Sequence, residues 1–185
     1  IAWQDDRKDK VLMAFAKYAT GPVINMETIT HPCQEMAHIL ALQEHFGTRD
    51  LRGKKFVLTW TYHPKALNTA VANSALTIAT RMGIQSAYTN ADVVYAKSWG
   101  ALPYFGNWAE EKPMRDNFQH FIVDEHKMAL TNNAVFSHCL PLRRNIKATD
   151  AVMGSANCIA IQEAENRIHV QKAIMDCLIN QPEIN

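Results

Sequence analysis

The chain has 185 residues, 48% of them hydrophobic and 20% charged, a balance that excludes a wholly disordered polymer. One domain, or one and a fraction, is expected at this length, with roughly 70% of the unfolded surface buried. Nineteen basic residues against eighteen acidic ones leave a net charge of +1, which gives no electrostatic footing for nucleic acid or a membrane surface. No apolar run approaches the length of about 20 residues needed to cross a bilayer. Ile1-Ala2-Trp3-Gln4-Asp5-Asp6 lacks a basic-then-apolar leader, so a cytoplasmic protein is expected.

In chain order, Asp6 to Tyr18 has a helical period closed by Gly21-Pro22, and Val23 to Met26 reads as a brief strand. Thr30 is placed to cap a helix with Pro32 in its first turn, running to Phe46 before Gly47. Phe56-Val57-Leu58-Thr59-Trp60 is a continuous apolar run of the kind found in parallel sheets buried on both faces. Asn68 to Met82 is helical, with Gly83 at a left-handed cap position. Ser86 to Asn90 then reads as a short helical turn where a strand is expected, which suggests a missing segment near 83–86.

Asp92 to Ala96 is the next strand, and Ser98 to Pro113, rich in aromatics, Gly and Pro, reads as a long ordered loop. Asp124 caps a turn over Glu125 to Leu130 and Ala134 to His138 is a strand. Thr149 to Met153 is a short helix, Cys158 to Ile161 another strand, and Glu163 to Leu178 the closing helix. The alternation predicts an α/β fold, a parallel sheet flanked by helices on both faces, with ligands at the carboxyl ends of the strands.

Lys97, Cys139, Leu140, Arg143 and Arg144 follow predicted strands, as do Glu27 and His31. Singly, each has a plain role: a helix-start group, a packed thiol, a solvated arginine. Jointly, at one sheet edge, they suit a small anionic substrate. A Cys139 nucleophile with His138 as base is poorly placed, because adjacent residues at a strand end point to opposite faces. Cys33, Cys139, Cys158 and Cys177 form no CxxC pair, so neither a disulfide framework nor a metal site is expected. No GxGxxG or Walker-type loop supports nucleotide binding.

His31-Pro32-Cys33-Gln34 and His138-Cys139-Leu140-Pro141 resemble the HPxQ and HCLP motifs of the aspartate/ornithine carbamoyltransferase family. The flanks Asn25 to Thr30, Lys97-Ser98-Trp99-Gly100 and Leu142 to Thr149 look most like its N-acetylornithine branch. The resemblance implies carbamoyl transfer from carbamoyl phosphate to the δ-amine of N-acetylornithine, in arginine biosynthesis, with no cofactor and with a homotrimeric assembly. It implies that His31, Gln34 and Cys139 are catalytic. Glu27, Asn68, Lys97, Leu140 and Arg167 would bind the acylated amino acid, and Lys147 matches a lysine that is carboxylated in some relatives. It also implies a trefoil knot formed by the loops at Tyr62 to Leu67 and Ser98 to Trp108, unusual among folded chains.

The family's phosphate-binding Ser-x-Arg-Thr-Arg run does not occur in these residues. Residues 1–29 therefore look like a remnant of the carbamoyl-phosphate domain and 30–185 like the amino-acid-binding domain, with an internal deletion near 83–86. Two alternatives follow: a non-catalytic, truncated or engineered module that keeps the amino-acid domain, and an ornithine carbamoyltransferase.

Overall fold

The computed structural model describes residues 9–81, 89–104 and 107–180. Three strands form one parallel sheet in the order β1 (Phe56–Trp60), β2 (Val93–Lys97), β3 (Val135–Ser137). Phe56 sits opposite Val93, and Val93 opposite Val135. Because side chains alternate along a strand, β2 feeds two separate cores. Val93 and Tyr95 pack with Phe56, with Ile39 and Leu42 of α2 (Pro32–Phe46), and with Val71 and Ala75 of α3 (Ala70–Arg81). Val94 and Ala96 pack with Phe136, Val123 and Ala148. Val152 of α6 (Asp150–Met153) and Met128 of α5 (Glu125–Ala129) close that second face. The expected two-sided parallel sheet is the observed architecture.

The ends of these elements follow local chemistry. Gly47, at φ 63°, takes the left-handed position after α2, where its N–H reaches the carbonyls of Gln43 and Glu44. Thr149 caps α6 by accepting from the Val152 N–H, and Asp124 caps α5 by accepting from Lys127 N–H. Gly100 lies under the Trp108 ring, where a Cβ would come within 2.5 Å of it.

Four expectations change. Val23 to Met26 forms no strand; no neighbour offers it a ladder among the described residues, and Asn25 instead donates to the hydroxyls of Thr28 and Thr30. The cap of α2 is His31, not Thr30, and its side chain makes no capping bond; its backbone N–H donates to Ser74 Oγ at 2.7 Å. The expected loop after Ser98 contains a 3-10 turn, Leu102–Tyr104, and a helix, α4 (Trp108–Asp116), with Pro113 inside it. Pairs four residues apart, Glu111 with Arg115 and Lys112 with Asp116, flank the proline there. Cys158 makes only a single bridge to Phe136, and the apolar run passes directly into α7 (Ala160–Asn180); short apolar runs do not separate strand from helix.

The first helix, α1 (Lys10–Tyr18), has no buried residue. The Gly83 cap and the break near 83–86 lie outside the described residues.

Candidate functional site

A cavity of about 670 Å³ opens at the carboxyl ends of the strands. Its walls contain each residue to which the resemblance gives a role: Glu27, His31, Gln34, Asn68, Lys97, Cys139, Leu140, Lys147 and Arg167. Lys97 ends β2, and Cys139 and Leu140 follow β3. His31 and Gln34 come from the start of α2, and Arg167 from two turns into α7. Parallel strands deliver their last residues to one rim, and that geometry brings together groups 140 positions apart in sequence, from Glu27 to Arg167.

Asn68 ties two walls together. Its Oδ1 accepts from the Ala70 N–H at 2.9 Å, and its Nδ2 donates to the Thr28 carbonyl at 3.3 Å. Lys97 Nζ donates to Cys139 Sγ at 3.3 Å. Burial pushes the Cys139 thiol up, against the pull of Lys97, so it stays protonated at neutral pH. That removes a thiolate nucleophile. Burial, then Lys147 and Lys97, hold His138 well below the usual imidazole range, and its Nε2 lies 3.3 Å from Lys147 Nζ. His138 is thus a neutral acceptor for Lys147.

His31 is lowered chiefly by burial, with Arg167 and Lys97 adding to it and Glu27 opposing. A neutral imidazole in this position donates through one ring nitrogen and accepts through the other. Its Nδ1 is buried with no partner. Lys147 is 2% exposed and is brought down to about 8, first by burial, then by Lys97 and Arg143. Four cationic side chains, Lys97, Arg143, Lys147 and Arg167, face one carboxylate, Glu27, across the cavity. Such a balance favours an anionic ligand. Arg144, grouped with this rim from sequence, instead pairs on the surface with Asp150 at 2.8 Å.

Sequence reasoning missed two features. His63 lines the cavity with Nδ1 2.8 Å from the Lys65 carbonyl, and it sits in a segment read only as a loop. Behind the cavity lies a buried polar cluster: Gln34, Glu35, His38, Tyr95, Ser137 and Glu163. Tyr95 and Ser137 interrupt otherwise apolar strands and were the available signal. Tyr95 stacks on His38 with ring centroids 4.4 Å apart, and its hydroxyl donates to Glu35 at 3.4 Å and Glu163 at 3.3 Å. Burial raises Glu35 to about 8. Among the described residues no cluster of three or more His, Cys, Asp or Glu is arranged to hold a metal ion, and no helix is long and apolar enough to cross a membrane.

An N-acetylornithine carbamoyltransferase of Xanthomonas axonopodis pv. citri (strain 306) is 66% identical over 222 residues, covering 100% of this chain and 65% of that protein. The N-succinylornithine carbamoyltransferase of Bacteroides thetaiotaomicron is 34% identical, covering 88% of this chain and 57% of that protein. The crystal structure of an acetylornithine transcarbamylase complexed with acetylcitrulline superposes with a TM-score of 0.93 at 66% identity, covering 98% of this chain and 66% of that one. The chain thus spans about 65% of the length of the curated N-acetylornithine carbamoyltransferases it matches. The model for the aspartate/ornithine carbamoyltransferase Asp/Orn-binding domain matches residues 55–178, and with the strand order and rim described above, the chain belongs to the aspartate/ornithine carbamoyltransferase family.

Proposed function

We propose that the cavity binds N-acetylornithine and serves carbamoyl transfer to its δ-amine from carbamoyl phosphate, in arginine biosynthesis in the cytoplasm. The observation that carries this reading is the convergence of Glu27, His31, Gln34, Asn68, Lys97, Leu140 and Arg167 on one cationic cavity. The acetylcitrulline complex of a 66% identical protein adds support.

In the proposed chemistry the δ-amine attacks the carbamoyl carbon directly. The new C–N bond forms, the C–O bond to phosphate breaks, and the departing phosphate takes up the proton that the amine loses. Charge gathers on the carbamoyl oxygen as this happens, and a neutral His31 suits it as a hydrogen-bond donor. Gln34 holds the carbamoyl amide, Arg167 pairs its fork with the substrate carboxylate, and Glu27, Asn68, Lys97 and Leu140 line the acylated chain. Cys139 serves as the uncharged partner of Lys97 and completes the catalytic set.

Lys147 is the proposed modification site. A buried amine near pH 8 has the neutral lone pair that carbon dioxide requires. The resulting carbamate would face Lys97 and Arg143 and offset their charge. An intact-mass gain of one carbon dioxide, absent in Lys147→Arg, tests it.

Residues 1–29 are read as part of the carbamoyl-phosphate domain and 30–185 as the amino-acid-binding domain of a homotrimer. The alignment of 222 residues against a chain of 185 leaves 222 − 185 = 37 positions to gaps, in keeping with an internal deletion near 83–86.

A second reading is favoured by the absence of the Ser-x-Arg-Thr-Arg run: this chain alone holds the acylated amino acid without transferring a carbamoyl group. One assay separates them. The protein is mixed with carbamoyl phosphate and either N-acetylornithine or ornithine, and ureido product is measured. Product from N-acetylornithine supports the transferase. Product from ornithine alone overturns the acetylated assignment. No product, with N-acetylcitrulline still bound, assigns the binding module, and no binding overturns both.

A further inference from the structure

Glu163 is fully buried at the start of α7, and every group that reaches it is a donor. Gln34 Nε2 donates to its Oε1 at 2.6 Å, the Tyr95 hydroxyl at 3.3 Å, and Ser137 Oγ donates to its Oε2. The single proton of the Tyr95 hydroxyl is shared with Glu35, so the Gln34 amide and the Ser137 hydroxyl are the donors that count on Glu163. Burial, with Glu35 adding to it, pushes the Glu163 carboxyl up from its ordinary range, against the pull of His38, Ser137 and Gln34; with a proton on Oε2, Oε1 still accepts from Gln34.

The consequence falls on Gln34. Its carboxamide is planar, with a donor at one end and an acceptor at the other. Once Nε2 is committed to Glu163, Oε1 is turned away from that carboxylate. Gln34 also lines the cavity, so the acceptor end is what the side chain offers a ligand. A carbamoyl or ureido group carries an NH₂ that needs such an acceptor.

We propose that Glu163 is a positioning residue that fixes the Gln34 carboxamide, with Oε1 toward the cavity, for the NH₂ of a carbamoyl or ureido group. This rests on the carbamoyl reading of the cavity. Without that carboxyl acceptor the amide is free to turn over and present its own NH₂, setting donor against donor. Glu163 touches no ligand; it acts through Gln34.

The test is calorimetric binding to the full 185-residue chain of N-acetylcitrulline and of N-acetylnorvaline, which lacks the ureido group. The ratio of the two affinities isolates the ureido contribution. Glu163→Gln should lower that ratio about tenfold, the size of one hydrogen bond, and leave N-acetylnorvaline binding unchanged. Gln34→Ala should lower it similarly, and the double variant should go no further.

An unchanged ratio in Glu163→Gln, or equal weakening of both ligands, overturns the positioning role. So does a wild-type ratio near one. Wild-type protein that binds neither ligand instead overturns the carbamoyl reading itself, before any variant is needed. Should Glu163→Gln not fold, the side-chain amide protons of Gln34 in the wild type decide the matter by nitrogen-15 NMR. One should be shifted downfield and protected from exchange; two freely exchanging protons overturn the proposal.

Discussion

The Lys97 ammonium donates to the Cys139 thiol across 3.3 Å and so joins the end of β2 to the turn after β3. A protonated thiol is an adequate acceptor, and burial keeps Cys139 in that form. Cys139→Ser keeps an acceptor at this place and should hold N-acetylcitrulline affinity to within about threefold. Cys139→Ala leaves Lys97 unrestrained and should weaken it by about tenfold, on the scale of one hydrogen bond to a charged group. Isothermal calorimetry on both variants checks this, and equal affinities for the two would refute it.

Glu35 gives the folded chain a signature in pH. Its carboxyl is raised from 4.5 to about 8, mainly by burial. Between those values the folded state keeps a proton that the unfolded state gives up. Stability from this group is therefore intact below 4.5 and declines as pH rises toward 8. Glu35→Gln mimics the neutral acid and should flatten the decline. We expect it to gain about 1 to 3 kcal/mol relative to wild type at pH 8 and little at pH 4.5, measured by urea unfolding at both.

Lys147 behaves in the opposite sense. Its amine is lowered from 10.5 to about 8, so across that window the unfolded chain binds the extra proton. Stability from this group rises with pH from about 8 to 10.5, and the full cost of burying the ammonium is felt below 8. In buffers free of carbon dioxide, Lys147→Met should be more stable than wild type by about 1 to 3 kcal/mol at pH 7 and should lose that advantage by pH 10.5. Thermal melts across the range follow it.

Arg115 and Glu111 form a buried ion pair that braces the loops beside the cavity. The side chains are 4% and 3% exposed, Arg115 also donates to the Pro64 carbonyl at 3.1 Å, and Glu111 accepts from the Ala101 N–H at 2.7 Å. Removing one partner strands a buried charge. Arg115→Met should cost about 3 to 5 kcal/mol in chemical denaturation, whereas replacing both by well-packed apolar residues should cost much less.

The two-sided sheet was legible because Phe56 to Trp60 and Asp92 to Ala96 are apolar runs with helical patterns between them. The rim was legible for a related reason: residues just past parallel strands share an edge, so Lys97 and Cys139 could be grouped without knowing the strand order. Val23 to Met26 misled because strand formation needs a neighbour, which local pattern does not supply, and Cys158 to Ile161 misled because a short apolar run fits a helix start as well as a strand. The Gln34 to Glu163 bond spans 129 positions, and no local rule joins residues so far apart. Arg144 points outward because Asp150 lies within its reach, a contact between a turn and a helix start that the motif itself does not encode.

The cavity draws Glu27, His31, Gln34, Asn68 and Lys97 from the first hundred residues and Cys139, Leu140, Lys147 and Arg167 from the remainder. Neither half holds a recognition set by itself. Cleaved between α4 and α5, the chain would become a two-piece reporter: the fragments regain affinity only by re-forming the β2–β3 ladder, so ligand capture would count reassembled molecules.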